Sequence, residues 1–244
     1  MRIPRLYVEA SLTPGDNLPL PETAFRHCVQ VLRLGEGARV VLFNGNGRDY
    51  TATLERVGRR EASAAIISAR ENPTESPLDL CLAQGISKAD HMDLTIQKAV
   101  ELGVRCICPV ICARSQRIPR DRIPRRHAHW LAIAVSACEQ SGRSRLPALM
   151  SPIELDEWLA DIGTPKQRLM LDPRADAGLS DITLDATGTL DVLIGPEGGF
   201  ADDELTRVTA AGVVAARMGP RVLRTETAAI AALTLIQARW GDLR

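Results

Sequence analysis

Val192 to Leu205 reads VLIGPEGGFADDEL. A short apolar run stops at Gly195-Pro196-Glu197-Gly198-Gly199, and a polar stretch with the acids of a helix start follows. A buried strand that breaks into a turn and re-emerges as a helix is the building unit of a parallel α/β sheet. Glycines at such a turn let backbone pass close to something. The question is what passes there, and why one carboxylate, Glu197, stands in the middle of it.

The same unit recurs on either side. LDLCLAQGI (78–86), VRCICPVIC (104–112), QRLMLD (167–172), LDVLIG (190–195) and VVAARMG (213–219) are nearly continuous apolar runs, the pattern of parallel strands covered on both faces. Between them lie helical patterns: one with Met92, Ile96, Ala99 and Val100 at helical spacing, one over roughly 126–140, one over 202–211, and the apolar ETAAIAALTLIQARW (226–240). Ser87-Lys88-Ala89-Asp90 has the spacing of a capping box. Asp202 is expected to cap the helix after the glycine turn, and Thr225 or Thr227 the last one.

Upstream the pattern changes. RLYVEA, ARVVLFN, RDYTATLERV and EASAAIISA read as strands, with PETAFRHCVQVLRL as a short helix and Asn44-Gly45 and Asn46-Gly47 as a hairpin signal. Short strands and tight turns in about 70 residues predict a small barrel. ENPTESP (71–77), polar with two prolines, reads as a linker. The expected division is residues 1–72 and 73–244.

The chain has 244 residues, 30 acidic and 30 basic, so a net charge of zero argues against indiscriminate nucleic-acid binding. Among the basic residues only Lys88, Lys98 and Lys166 are lysine. A GC-rich genome accounts for most of that bias, though Arg is also the better phosphate ligand. The N-terminus lacks a signal-peptide core and no run approaches the roughly 20 apolar residues of a membrane span, so a cytoplasmic protein is expected. The six cysteines mostly lie in apolar runs and read as free thiols. Cys106, Cys108 and Cys112 lack the second half and the nearby His of a zinc site, so no metal is expected.

Ligands of parallel sheets bind beyond the carboxyl ends of the strands. Gly195–Gly199 and Met218-Gly219-Pro220-Arg221 both occupy such ends. Either alone reads as a tight turn; together, each with charged residues, they read as two walls of one pocket. No P-loop lysine follows the glycines, and no G-x-G-x-x-G follows a strand of this region, which disfavours a polyphosphate or a dinucleotide. Arg221 and Arg224 beside a helix N-terminus suggest an anionic partner, because like charge is unfavourable there. RSQRIPRDRIPRRHAHW (114–130) holds six arginines, at 114, 117, 120, 122, 125 and 126, against Asp121 alone. Such a run is commonly a solvated face, but two prolines make it irregular, and an RNA-contacting loop is favoured.

Gly195-Pro196-Glu197-Gly198-Gly199 together with Leu223-Arg224-Thr225-Glu226-Thr227-Ala228 closely resembles the bacterial small-subunit ribosomal RNA uridine-N3 methyltransferases, of the SPOUT class. His27 with Val31-Leu32-Arg33, Lys88 with Met92-Asp93, Lys98 with Glu101-Leu102-Gly103, and Glu139-Gln140-Ser141-Gly142-Arg143 with Pro147 match in the same order. Ala201 departs from the Ser or Thr usual at that helix cap. The resemblance implies an α/β fold with an N-terminal small PUA-like β-barrel followed by an α/β-knot methyltransferase domain. It implies a homodimer, S-adenosylmethionine as methyl donor, and 16S rRNA of the small subunit as substrate. Leu171, Ile194, Met218 and Leu223 would then sandwich the adenine. The 195–199 turn, Gly219 and Arg224-Thr225-Glu226-Thr227-Ala228 would line the rest, with Glu197 holding the ribose or offsetting the sulfonium. For catalysis, Arg221 or Arg224 would stabilise a uridinate, and Glu226 or Glu139 would act as base. Arg2, Arg5, Arg33, Arg114, Arg117, Arg120, Arg125 and Arg143 are the candidates for RNA contact. Other readings stay open: a non-catalytic RNA-binding protein of the same fold, an enzyme of the class acting on another RNA, or an enzyme using a phosphorylated nucleotide.

Overall fold

The computed structural model describes residues 3–161, 166–183 and 188–243. The chain divides into two compact units, one formed by Met1–Glu75 with Val135–Leu146, the other by Ser76–Ala134 with Pro147–Arg244.

The first unit is built on a five-stranded sheet of β1 (Arg5–Tyr7), β2 (Asn17–Pro19), β3 (Arg39–Phe43), β4 (Arg48–Val57) and β5 (Ala62–Glu71), in the order β1-β3-β4-β5-β2. The β3–β4 hairpin turns at 44–47, where Gly45 and Gly47 both take positive φ, as the Asn-Gly pairs require. Alternation along β4 sends Tyr50, Ala52 and Leu54 into a core shared with Leu6, Phe25, Leu42 and Ile66. The expected short helix begins as one turn, α1 (Glu22–Phe25), and continues as a π-helix over Arg26–Val31.

Val135–Leu146 joins this unit although a boundary at 72/73 assigns it to the other. The reason is polar. Tyr7 N–H donates to Glu139 Oε1 (3.0 Å), Arg143 pairs with Glu75 (2.8 Å), and Ser144 donates to Asp49 Oδ1 (2.5 Å). Asp49 also receives Arg5 (2.9 Å) and Asn72 (2.8 Å). Linear reading misses such pairings because the partners are far apart in sequence.

The second unit carries a seven-stranded, all-parallel sheet of β6 (Asp79–Gly85), β7 (Cys106–Ile111), β8 (Ala148–Leu149), β9 (Ile153–Glu154), β10 (Lys166–Leu171), β11 (Thr189–Ile194) and β12 (Val214–Ala216). The order is β12-β10-β11-β6-β7-β8, with β9 also on β7. The helices are α2 (Ala89–Glu101), α3 (Ile123–Ser141, of which the part from Val135 on belongs to the first unit), α4 (Leu155–Ala160), α5 (Asp202–Ala210) and α6 (Thr225–Trp240). Cys81 and Ala83 of β6 point to the face packed by Trp158 of α4 and Val208 of α5. α6 packs on α2 and on β11, so both faces of the sheet are covered, as the unbroken apolar runs predict. After β12 the chain is tied to the 175–181 segment. Leu179 N–H donates to Arg217 O, Arg217 N–H to Ala177 O, and Arg239 of α6 to Ser180 O.

Three expected caps are corrected. The N-cap of α2 is Lys88, with no side-chain cap bond; Ser87 is buried against Met92 instead. The N-cap of α5 is Ala201, whose N–H donates to Glu204 Oε2 (2.8 Å), leaving Asp202 exposed and bridged to Arg174. The N-cap of α6 is Arg224, and Thr225 spends its hydroxyl elsewhere. Distant partners take Asp202 and Thr225, whereas Ser87 turns inward onto Met92 of α2. Among the described residues no disulfide joins any of the six cysteines. Burial pushes Cys112 and Cys138 up to about 12, which keeps them as unreactive thiols.

Candidate functional site

The carboxyl ends of β10 and β11, the turn after β12 and the start of α6 converge on one cavity of about 570 Å³. That is the rim where a parallel sheet takes its ligand. Pro196–Gly199 closes a tight turn, with Gly199 N–H donating to Pro196 O (2.9 Å) and Gly199 at φ +67°. The turn is packed from below. A Cβ on Gly85, at the end of β6, would lie 2.6 Å from Pro196 N and Cδ, so only glycine lets the two strand ends approach this closely.

Thr225 fastens the wall. Its hydroxyl donates to Gly195 O (2.6 Å) and accepts from the buried amide of Gln84 (2.9 Å). Three distant segments thus meet at one hydroxyl. Arg114 closes another side by donating to Gly198 O (2.8 Å).

Glu197 is held as a carboxylate. Its Oε1 accepts the Lys88 N–H (2.8 Å) and lies 3.0 Å from His91 Nδ1. This is the helix-start bond that the Ser87–Asp90 spacing suggested, supplied from another strand end. Burial alone would raise its pKa. The N–H groups of Lys88 and of Glu197 itself, with His91, outweigh it and hold the carboxyl below its ordinary value. Glu226 is buried at the α6 start, 3.7 Å from His91 Nδ1, and its Oε2 has no hydrogen-bond partner. A buried carboxylate oxygen without a hydrogen bond, on a cavity wall and with only the longer contact to His91, is poised for a ligand's donor or cation.

Leu171, Ile194, Ala216, Met218 and Leu223 give the cavity an apolar interior, and Arg221 and Arg224 stand exposed on its wall. A concave site that is mostly apolar, with a few convergent polar groups, is what a small organic ligand needs.

Residues 74–237 match the family described as RNA methyltransferase domain, and residues 20–67 the one described as RNA methyltransferase PUA domain. The chain belongs to the RNA methyltransferase family. Ribosomal RNA small subunit methyltransferase E of Buchnera aphidicola from Schizaphis graminum is 30% identical over 99% of this chain and 98% of its own. A Legionella pneumophila structure solved with bound cofactor SAM superposes with a TM-score of 0.95 at 39% identity, each chain fully covered. Ribosomal RNA small subunit methyltransferase E of Neisseria gonorrhoeae, bound to S-adenosyl methionine, gives 0.93 at 37%, again over both full chains.

Within the RNA methyltransferase domain, the cavity gathers Leu171, Ile194, Gly195–Gly199, Met218, Arg221, Leu223–Glu226 and Ala228. Gly219 and Thr227 are not on its wall; Gly219 shapes the turn at φ +68° and Thr227 is exposed. Glu139 belongs to the first unit and is absent from the cavity lining, and burial raises its pKa. Of the arginines expected to contact RNA, Arg5 and Arg143 are corrected: both are buried in salt bridges, to Asp49 and Glu75, which neutralise them. Arg114 is a cavity wall residue. Arg33, Arg117, Arg120 and Arg125 are exposed, and Arg2 lies outside the described residues.

His91, Asp172, Pro173, Arg174, Phe200 and Val222 also line the cavity and were not foreseen. Asp172–Arg174 had a signal, for they follow a strand end as the two Gly-Pro turns do. His91 had none, since its partners come from elsewhere in the chain.

Proposed function

We propose that this chain transfers the methyl group of S-adenosylmethionine to N3 of a uridine in 16S rRNA of the small ribosomal subunit. The cavity carries the reading: glycine backbone, an apolar interior and two carboxylates at the rim of a parallel sheet, in a chain that aligns end to end with two cofactor-bound relatives. The residues present fit the cofactor. Leu171, Ile194, Met218 and Leu223 suit the faces of an adenine, the 195–199 backbone its edges and the ribose, and Glu197 and Glu226 a cation. When bound, the cofactor supplies an electrophilic methyl on a sulfonium.

The chain's own residues do the rest. Uridine N3 carries a proton and is a poor nucleophile until the proton leaves. Glu226 accepts that proton, because it lines the cavity and its Oε2 makes no hydrogen bond, whereas Glu139 is not on the wall. Arg221 and Arg224 stabilise the uridinate charge, and the Thr225–Gly195 bond keeps the wall rigid, so positioning supplies much of the rate. Arg33, Arg117, Arg120 and Arg125 hold the RNA backbone. The enzyme acts in the cytoplasm as a homodimer, with Val222 (82% exposed) and Leu235 (51%) as the outward apolar residues at and beyond the α6 start.

Two measurements test this. Calorimetric titration with S-adenosylmethionine should show one site per chain; no binding would favour a non-catalytic RNA-binding protein. Mass spectrometry of rRNA from a strain lacking the gene should show one N3-methyluridine missing. An unchanged methyluridine set would overturn the assignment.

A further inference from the structure

A second cavity of about 300 Å³ lies where the start of α2 meets the 116–130 segment. Lys88, Arg117, Arg122 and Arg126 line it, and no carboxylate does. None of these four side chains forms an ion pair or a hydrogen bond among the described residues. Four unpaired cations around one concavity repel one another, an arrangement that makes sense when an anion fills it. Trp130 also lines the cavity. It is 1% exposed, and its indole N–H has no acceptor among the described residues. A buried donor left unpaired is costly unless a ligand completes it.

Lys88 ties this cavity to the first one. Its side chain lines the cationic pocket, while its backbone N–H donates to Glu197 on the wall of the other cavity (2.8 Å). An anion bound here therefore sits beside the cofactor cavity. We infer that the pocket formed by Lys88, Arg117, Arg122, Arg126 and Trp130 binds a backbone phosphodiester of the RNA strand whose target base enters the adjoining cavity. This rests on the reading of the chain as an RNA-modifying enzyme, and it separates a shaped phosphate site, which includes Arg117, from Arg33, Arg120 and Arg125 outside it, which supply only general attraction. No carboxylate on the wall competes with the phosphate for these cations. Arg122, which ends the 3-10 turn Arg120–Arg122, and Arg126, in the first turn of α3, both line the wall and carry the planar forks that suit a phosphate.

The test uses the full-length protein, S-adenosylmethionine and a 16S rRNA transcript. In Arg122→Gln/Arg126→Gln, KM for RNA should rise about tenfold with kcat nearly kept, the mark of binding lost equally from ground and transition states. The dependence of log affinity on log salt should become shallower by about 0.7, one phosphate of a single strand. Cofactor affinity and melting temperature should not move. Trp130→Phe keeps the shape and loses the N–H, and should weaken RNA binding by about three- to fivefold. Inorganic phosphate should compete with RNA for wild type and fail to do so for the double variant. A folded double variant with wild-type KM and salt slope overturns the pocket while leaving the enzyme assignment intact. Phosphate binding that the variants abolish without any change in RNA affinity also overturns it, as a small-anion site. A wild type that binds cofactor but neither binds nor methylates RNA removes the reading beneath it.

Discussion

Gly85, Gly198 and Gly199 look alike in sequence but do different work. At Gly85 the constraint is steric, since an added Cβ would strike the backbone of Gly195-Pro196 at 2.6–2.9 Å. Gly85→Ala should displace the cavity wall, so cofactor affinity should drop at least about tenfold in calorimetric titration, a loss of about 1.4 kcal/mol or more. At Gly199 the constraint is conformational: φ is +67° and the space beside it is open, so Ala there costs about 1 kcal/mol of strain and little binding. Gly198 is neither. Its Cβ would meet the Arg114 side chain at 2.9–3.2 Å, and Gly198→Val should abolish cofactor binding by pushing Arg114 off the wall while the melting curve moves only a few degrees. A mutant that stays folded and binds cofactor like wild type would show that this turn is not the cofactor site. The need for glycine was legible from a strand running into Gly-Pro-Glu-Gly-Gly. Which glycine answers to which neighbour was not, because Arg114 and Gly85 are remote in the chain.

At the scale of the elements, the long strands and helices follow the sequence closely, because buried parallel strands are unbroken apolar runs and helices carry a 3.6 period, whereas β2, β8, β9 and α4 are too short to show a pattern and were not foreseen. The caps do not follow it. Glu204 shows why. It is buried, and its two oxygens accept Ala201 N–H (2.8 Å) at the α5 start and Ala113 N–H (2.7 Å) from the turn after β7. Glu204→Ala strands two donors and should cost about 2–4 kcal/mol, read as a lower denaturant midpoint at unchanged slope. Asp49 on β4 plays the corresponding part in the first unit. Burial pushes its pKa up, but Arg5, Ser144 and Asn72 prevail and lower it from 3.8 to about 2. The group thus stabilises the fold fully above its unfolded value, and that contribution is lost as pH falls through the folded one. Thermal melts followed from about pH 5 down to pH 2 should show this loss in wild type and a smaller one in Asp49→Asn. Asp49→Ala should cost about 3 kcal/mol or more at neutral pH, since Arg5 would stay buried without its partner.

For the molecule as a whole, reading strand and helix patterns in order predicts an α/β domain behind a smaller β-rich one, and the structure adds that residues 135–146 return to the first unit. That return was hidden because it depends on Tyr7, Glu75 and Asn72 meeting 139–144, and composition carries no trace of such pairings. The expected homodimer is checked by light scattering at micromolar concentration, where twice the 26.5 kDa chain mass should appear. A monomer would count against it. α6 buries Ala229, Ala232, Leu233 and Ile236 within its own chain, so its apolar character alone does not require a partner. The junction at Thr225, where Gln84 and Gly195 are tied by one hydroxyl, has a bearing on time as well as on shape. Gln84 and Gly195 lie 141 and 30 positions before Thr225. Loops of that length close slowly, and the wall cannot form before α6 has docked. During synthesis the ligand-binding surface should therefore arise only after the last helix has left the ribosome. Added S-adenosylmethionine should slow unfolding far more than it speeds refolding.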